Sequence, residues 1–186
     1  FKVLTEPDLI KAVEINADYS KAYNNLPSAY GEKDNIHTAI ECYKKAIKLK
    51  PSYREAHCCL GLALQGQGQL NEAITSYKNA LKLKTNCSST HNNIGNALQE
   101  QGDLDAAITS YKTALTLSPN YVEAHYNHGN ALLEKGDLEA AISSCKTALT
   151  LNPNYLKAHY NLGNTLKVKG DLGAAIASFK TALTLN

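Results

Sequence analysis

Four histidines, His57, His91, His125 and His159, stand 34 positions apart, and a histidine series raises the question of metal binding or proton transfer. The even spacing argues against both. Residues that recur once per packed helical unit lie on the order of 10 Å apart, too far to share one zinc ion. The column is therefore expected to pack between helices. His128 falls in the slot held by Leu26, Leu60, Ile94 and Leu162, where a hydrogen-bonded core histidine is expected. The five cysteines (Cys42, Cys58, Cys59, Cys87 and Cys145) form an odd set without a C-x-x-C pair. That pattern indicates neither a zinc site nor a disulfide framework and fits a reducing, cytoplasmic setting. There is no nucleophile elbow, phosphate loop or H-E-x-x-H, so no catalytic residue, metal site or cofactor is assigned and the segment is read as non-enzymatic.

The informative polar residue is asparagine. Asn25, Asn93, Asn127 and Asn161 recur at one register position, interrupted by Cys59, and Asn96, Asn130 and Asn164 recur three residues later. On a helix, residues i and i+3 share a face. A solvated face would more naturally carry Glu, Lys or Gln, because Asn has weaker helix propensity. An Asn amide offers both a donor and an acceptor, the pair that grips a peptide group whatever its side chain. Helices about 8–10 Å apart would present one Asn per roughly three residues of an extended ligand. These seven asparagines are therefore the candidate peptide-binding residues. The alternative is that they cap or crosslink neighbouring helices.

Composition narrows the partner. Of 19 basic residues only Arg54 is an arginine, and the net charge is +2, which gives little reason to expect nucleic acid. No apolar run approaches the roughly 20 residues that would cross a bilayer. No Met occurs, even at position 1, which is the pattern expected of a fragment or processed chain.

The elements that would position these residues follow from a 34-residue period. Gly61, Gly95, Gly129 and Gly163 keep that step, as do Ala39, Ala73, Ala107, Ala141 and Ala175, and Ala46, Ala80, Ala114, Ala148 and Ala182. Tyr43, Tyr77, Tyr111 and Phe179 form a large-residue column in which Cys145 is the exception. The period cuts the chain into units 20–53, 54–87, 88–121, 122–155 and 156–186, and residues 1–19 align with the second half of a unit. Each unit reads as two helices. In the fifth, the first ends at Gly170 and the second carries Leu172, Ala175, Ile176, Phe179, Ala182 and Leu183 at helical spacing. Asp103, Asp137 and Asp171 are placed to cap second helices, and Gly102, Gly136 and Gly170 to make the turns before them. Unit one departs, with Pro27 where Gly belongs and Asp34 where the turn Gly belongs. Ser144, between the packed columns, is expected to tolerate a larger side chain.

The sequence A-H-Y-N-L-G-N, followed by G-D-L, A-A-I, S-F-K, A-L and N-P, resembles the tetratricopeptide repeat over essentially the whole chain. The resemblance implies an all-α, right-handed α-solenoid, a superhelix of helix-turn-helix units forming a single array over 1–186. It also implies a concave groove lined by the first helices. The Asn columns are similar to those in the repeat arm of the O-linked N-acetylglucosamine transferases, whose groove holds extended peptides. Chaperone-binding members place Lys at the slots of Tyr126 and Tyr160 and Arg at an Asn slot; those residues are missing, so a chaperone C-terminus is disfavoured. The expected function is a protein-protein interaction module for an extended peptide segment. The alternatives are a self-associating scaffold or the recruiting arm of a larger enzyme such as a glycosyltransferase. Because repeats stop covering one another at an array's ends, homo-oligomer contacts through those ends are expected. The most regular units lie at the chain's end, so the array is expected to continue beyond Asn186.

Overall fold

The computed structural model describes residues 33–185. Asn25, Pro27 and the segment 1–19 lie outside them. The described residues form nine α-helices and no strand. Chain contacts gather into two compact units, Phe1–Asn86 and Cys87–Asn186, so the division falls beside the 87/88 boundary of the repeat period.

The first unit holds α1 (Lys33–Leu49), α2 (Arg54–Gly66) and α3 (Leu70–Leu83), with α2 packed against both neighbours. The backbone is already helical at Asp34, where the period would place a turn. Tyr43, Ala46, Leu60, Ala73 and Tyr77, which the repeated columns mark, are buried, and Ile40, Ala56 and Leu64 are buried with them.

The second unit holds α4 (Ser88–Glu100), α5 (Leu104–Leu117), α6 (Val122–Lys135), α7 (Leu138–Leu151), α8 (Leu156–Lys169) and α9 (Leu172–Thr184). Pairs α4/α5, α6/α7 and α8/α9 are the helix-turn-helix repeats, and each pair packs on the next. First helices also meet one another directly, α4 against α6 and α6 against α8. A continuous core runs between pairs. Ile108 and Tyr111 lie with Leu132 and Ala141, and Ile142 and Cys145 lie with Leu162, Leu166 and Ala175.

Turns follow local chemistry. Gly102, Gly136 and Gly170 take φ of 85°, 88° and 92°, a left-handed backbone that a Cβ would oppose. Immediately after each, an aspartate caps the next helix. Asp103 Oδ1 accepts from Ala106 N at 3.1 Å, Asp137 from Ala140 N at 3.3 Å and Asp171 from Ala174 N at 3.1 Å. Gln69 occupies the same position before α3 and makes no such bond.

The histidine column has a role that spacing alone did not supply. Nε2 of His57, His125 and His159 donates to the carbonyl oxygens of Pro51, Pro119 and Pro153 at 3.0, 2.8 and 2.8 Å. Each ring thus fastens the start of a first helix to the turn six residues earlier. The proline ring excludes further helix there, and the histidine satisfies a carbonyl that has lost its helical partner.

Ser144 departs from expectation. It is buried, and its Oγ lies 3.0 Å from His128 Nδ1, so it does not sit at a tolerant surface position. His128 Nε2 is buried and, among the described residues, has no hydrogen-bond partner.

Candidate functional site

Six of the seven candidate asparagines lie in the second unit, on α4, α6 and α8. The structure divides them by what the neighbouring helix offers.

Asn93 and Asn164 are half-buried, and among the described residues neither amide has a hydrogen-bond partner. Asn96 Oδ1 accepts from the Tyr111 hydroxyl at 2.7 Å, which leaves its Nδ2 free. Asn130 donates one N–H to Glu134 Oε1 at 2.9 Å and keeps the other, along with its Oδ1. Asn127 donates from Nδ2 to Asn92 Oδ1 at 3.0 Å and so crosslinks α6 to α4. Asn161 is not available to a ligand: it is only 4% exposed, and its Nδ2 points to Cys145 Sγ at 3.6 Å. The short Cys145 side chain, standing where other units carry Tyr or Phe, admits this inward contact. Asn127 and Asn161 thus act as helix crosslinks, the alternative that the sequence left open for the column.

A network organises the face around Asn96 and Asn130. Gln99 Nε2 on α4 donates to Glu134 Oε1 on α6 at 2.6 Å, and the Tyr111 hydroxyl lies 2.9 Å from Gln99 Oε1. One carboxylate oxygen therefore collects donors from two successive repeats. A bond to an ionised acceptor is shorter and stronger than a neutral one, so Glu134 fixes the rotamers of Asn130 and Gln99. Burial pushes the Tyr111 hydroxyl well above its ordinary pKa, with Glu134 and Glu100 adding to the effect. It stays a neutral donor.

Aromatic rings border the amides. Tyr126 meets Tyr155 edge-on at 5.7 Å, and Tyr160, 57% exposed, leans on Phe179 at 5.6 Å. The rings offer apolar contact with a hydroxyl at the tip. Burial raises the Cys145 thiol to about 11, which leaves it without thiolate character near neutrality. Among the described residues no group of His, Cys, Asp and Glu is placed to hold a metal ion. Nor is any described helix long and apolar enough to cross a membrane.

Paired antiparallel helices in tandem, with a hydrogen-bonding face on adjacent first helices, define a helical solenoid of the repeat-protein class. The chain belongs to the tetratricopeptide-repeat family. The TPR repeat model matches residues 28–68, 66–102, 95–136 and 129–168, and a tetratricopeptide-repeat model matches 156–186. Repeats of this family form scaffolds that mediate protein-protein interactions.

Among solved structures, the chain is similar to MamA at 27% identity, over 86% of this chain and 96% of that one, with a TM-score of 0.75. It shares its fold with PilF of Pseudomonas aeruginosa at 20% identity, over 96% and 78% of the two chains, with a TM-score of 0.79. It also shares its fold with YrrB, described as a TPR protein with an unusual peptide-binding site. That likeness is 23% identity over 96% and 92%, with a TM-score of 0.68. No curated protein matches the sequence.

Proposed function

We propose that the chain is a non-catalytic module that holds an extended protein segment in a groove lined by its first helices, within a single repeat array in the cytoplasm. The backbone of the segment is gripped by the amides of Asn93, Asn96, Asn130 and Asn164, with the Asn127 Oδ1 as a further acceptor. The observation that carries the reading is the pair Asn93 and Asn164, half-buried on the first and last of three adjacent helices with their amides free. Each lowers helix propensity relative to Ala and gains no internal bond in return, as a residue kept for an external partner would. The network at Glu134 supports the same reading, because it holds Asn130 in one rotamer before a ligand arrives and so reduces the ordering cost of binding. None of the five cysteines is joined in a disulfide, consistent with a reducing compartment.

The test is an Asn93→Ala/Asn164→Ala double variant, compared with the parent for affinity to peptides selected on an unbiased array. Each lost hydrogen bond is worth about 0.5–1.5 kcal/mol net, so affinity should fall while the melting temperature holds or rises. Unchanged affinity would remove the asparagine face from the binding mechanism.

A further inference from the structure

Glu134 stands within the amide face and carries a charge that no described residue answers. Asn130 and Glu134 are four residues apart on α6, so they lie one above the other on the same face, about 6 Å along the axis. Both amide donors, Gln99 Nε2 at 2.6 Å and Asn130 Nδ2 at 2.9 Å, converge on Oε1 and fill its two lone pairs. Oε2 is left without a partner among the described residues, and Glu134 is exposed.

Three observations separate this carboxylate from a plain helix crosslink. An amide oxygen would accept the same two bonds, so the crosslink alone does not require a charge. The lysine beside it in sequence is committed elsewhere: Lys135 reaches Asp105 on α5, as Lys169 on α8 reaches Glu139 on α7 at 2.6 Å. No ion pair among the described residues includes Glu134. Its field also reaches two ring hydroxyls of the face. Burial raises the pKa of Tyr126, with Cys145 and Glu134 adding to the effect, and Glu134 acts together with Glu100 on the buried Tyr111. Glu100 holds the same slot one repeat earlier, whereas α8 has Val168 there. At this slot the second unit therefore places negative charge on α4 and α6 alone.

We infer that Glu134 reads a basic side chain of the bound segment, so that the module selects extended peptides with a lysine or arginine beside the residue whose backbone Asn130 grips. The inference rests on the peptide-binding reading. A segment lying across α4 and α6 displaces water from Glu134, and a covered carboxylate without a cation is costly. A neutral N–H would occupy Oε2 yet leave the charges of Glu134 and Glu100 unbalanced. A lysine or arginine supplies the donor and the charge together, and its flexible stem spans the single turn from Asn130 to Glu134. An acidic side chain at that position is repelled, which gives the groove a direction of choice as well as a grip.

The probe is the set of peptides that the full chain selects from an unbiased array. Aligned, they should share a lysine or arginine at one position. Replacing that residue by glutamine in a selected peptide, or Glu134→Gln in the protein, should each weaken binding by about three- to tenfold. The two changes together should cost little more than either alone. Glutamine keeps an oxygen for Gln99 and Asn130, so the melting temperature of the variant should hold. Selected peptides with no shared basic position, or losses that simply add, overturn the inference. If the Asn93→Ala/Asn164→Ala variant loses affinity and Glu134→Gln does not, the amide grip stands and the basic preference falls. The reverse result upholds the charge recognition and removes the amide grip. An array that yields no binder overturns both.

Discussion

Gly95 lies flat against the ring of Tyr111: a Cβ built on this glycine would stand 2.5 Å from Cε1 and 2.7 Å from Cδ1 of the ring. Tyr111 is fully buried, and its hydroxyl is bonded to Asn96 and Gln99, so the ring has no free direction in which to retreat. At Gly129 the same hypothetical Cβ meets Cys145 Sγ at 3.0 Å and a backbone oxygen at 3.3 Å. Gly95→Ala should therefore cost about 1–3 kcal/mol through overpacking, and Gly129→Ala clearly less. Paired denaturant melts check this; equal losses would mean that the ring is not what demands glycine.

Ala141 has no exposed surface and packs with Ile108, Tyr111 and Leu132 across a repeat junction. Ala141→Leu should push the two pairs apart and cost about 1–3 kcal/mol. A thermal melt unchanged within error would contradict the packing. Because Ser144 is buried against His128, its replacement by Leu should cost a comparable amount.

Stability should fall in acid through His128. Burial lowers its pKa from 6.5 to about 4, with Lys112 and His125 acting in the same direction and Asp137 opposing. The folded state thus binds this proton more weakly than the unfolded chain does. Its contribution is fully present above about pH 6.5 and is lost as pH falls through the window down to about 4. His128→Leu restores the residue type of the other repeats and should flatten the stability profile in that window. An identical pH dependence in parent and variant would exclude this histidine as a cause.

Helix caps give a reciprocal pair of variants. Removing the Asp137 carboxylate as Asp137→Ala should cost about 1 kcal/mol, and Gln69→Asp, which installs the missing cap before α3, should gain a similar amount. Chemical denaturation of both variants measures the two effects.

The repeats were legible because their cause is repeated: a close contact between a glycine and an aromatic ring recurs inside three helix pairs, at Gly61, Gly95 and Gly163, and the buried alanines recur in every one. The fate of each asparagine was not. Asn93, Asn127 and Asn161 occupy one register position, yet one amide is free, one is bonded to Asn92 and one is drawn inward by Cys145. The deciding residues belong to the neighbouring helix and break its pattern, so a column read along the sequence cannot reveal them. The histidine-to-proline bonds were also hidden, because their acceptor is a backbone carbonyl and not a side chain.

The links from Gln99 to Glu134 and from Asn127 to Asn92 each span 35 positions, one repeat and no more. Closing such short loops is quick, and a topology built from them has a low contact order, so each pair in residues 88–185 can form as soon as its neighbour has formed. The same locality governs the reverse process. Under tension or in dilute denaturant the second unit should come apart helix pair by helix pair, and amide exchange should record the order as a gradient rather than a single step.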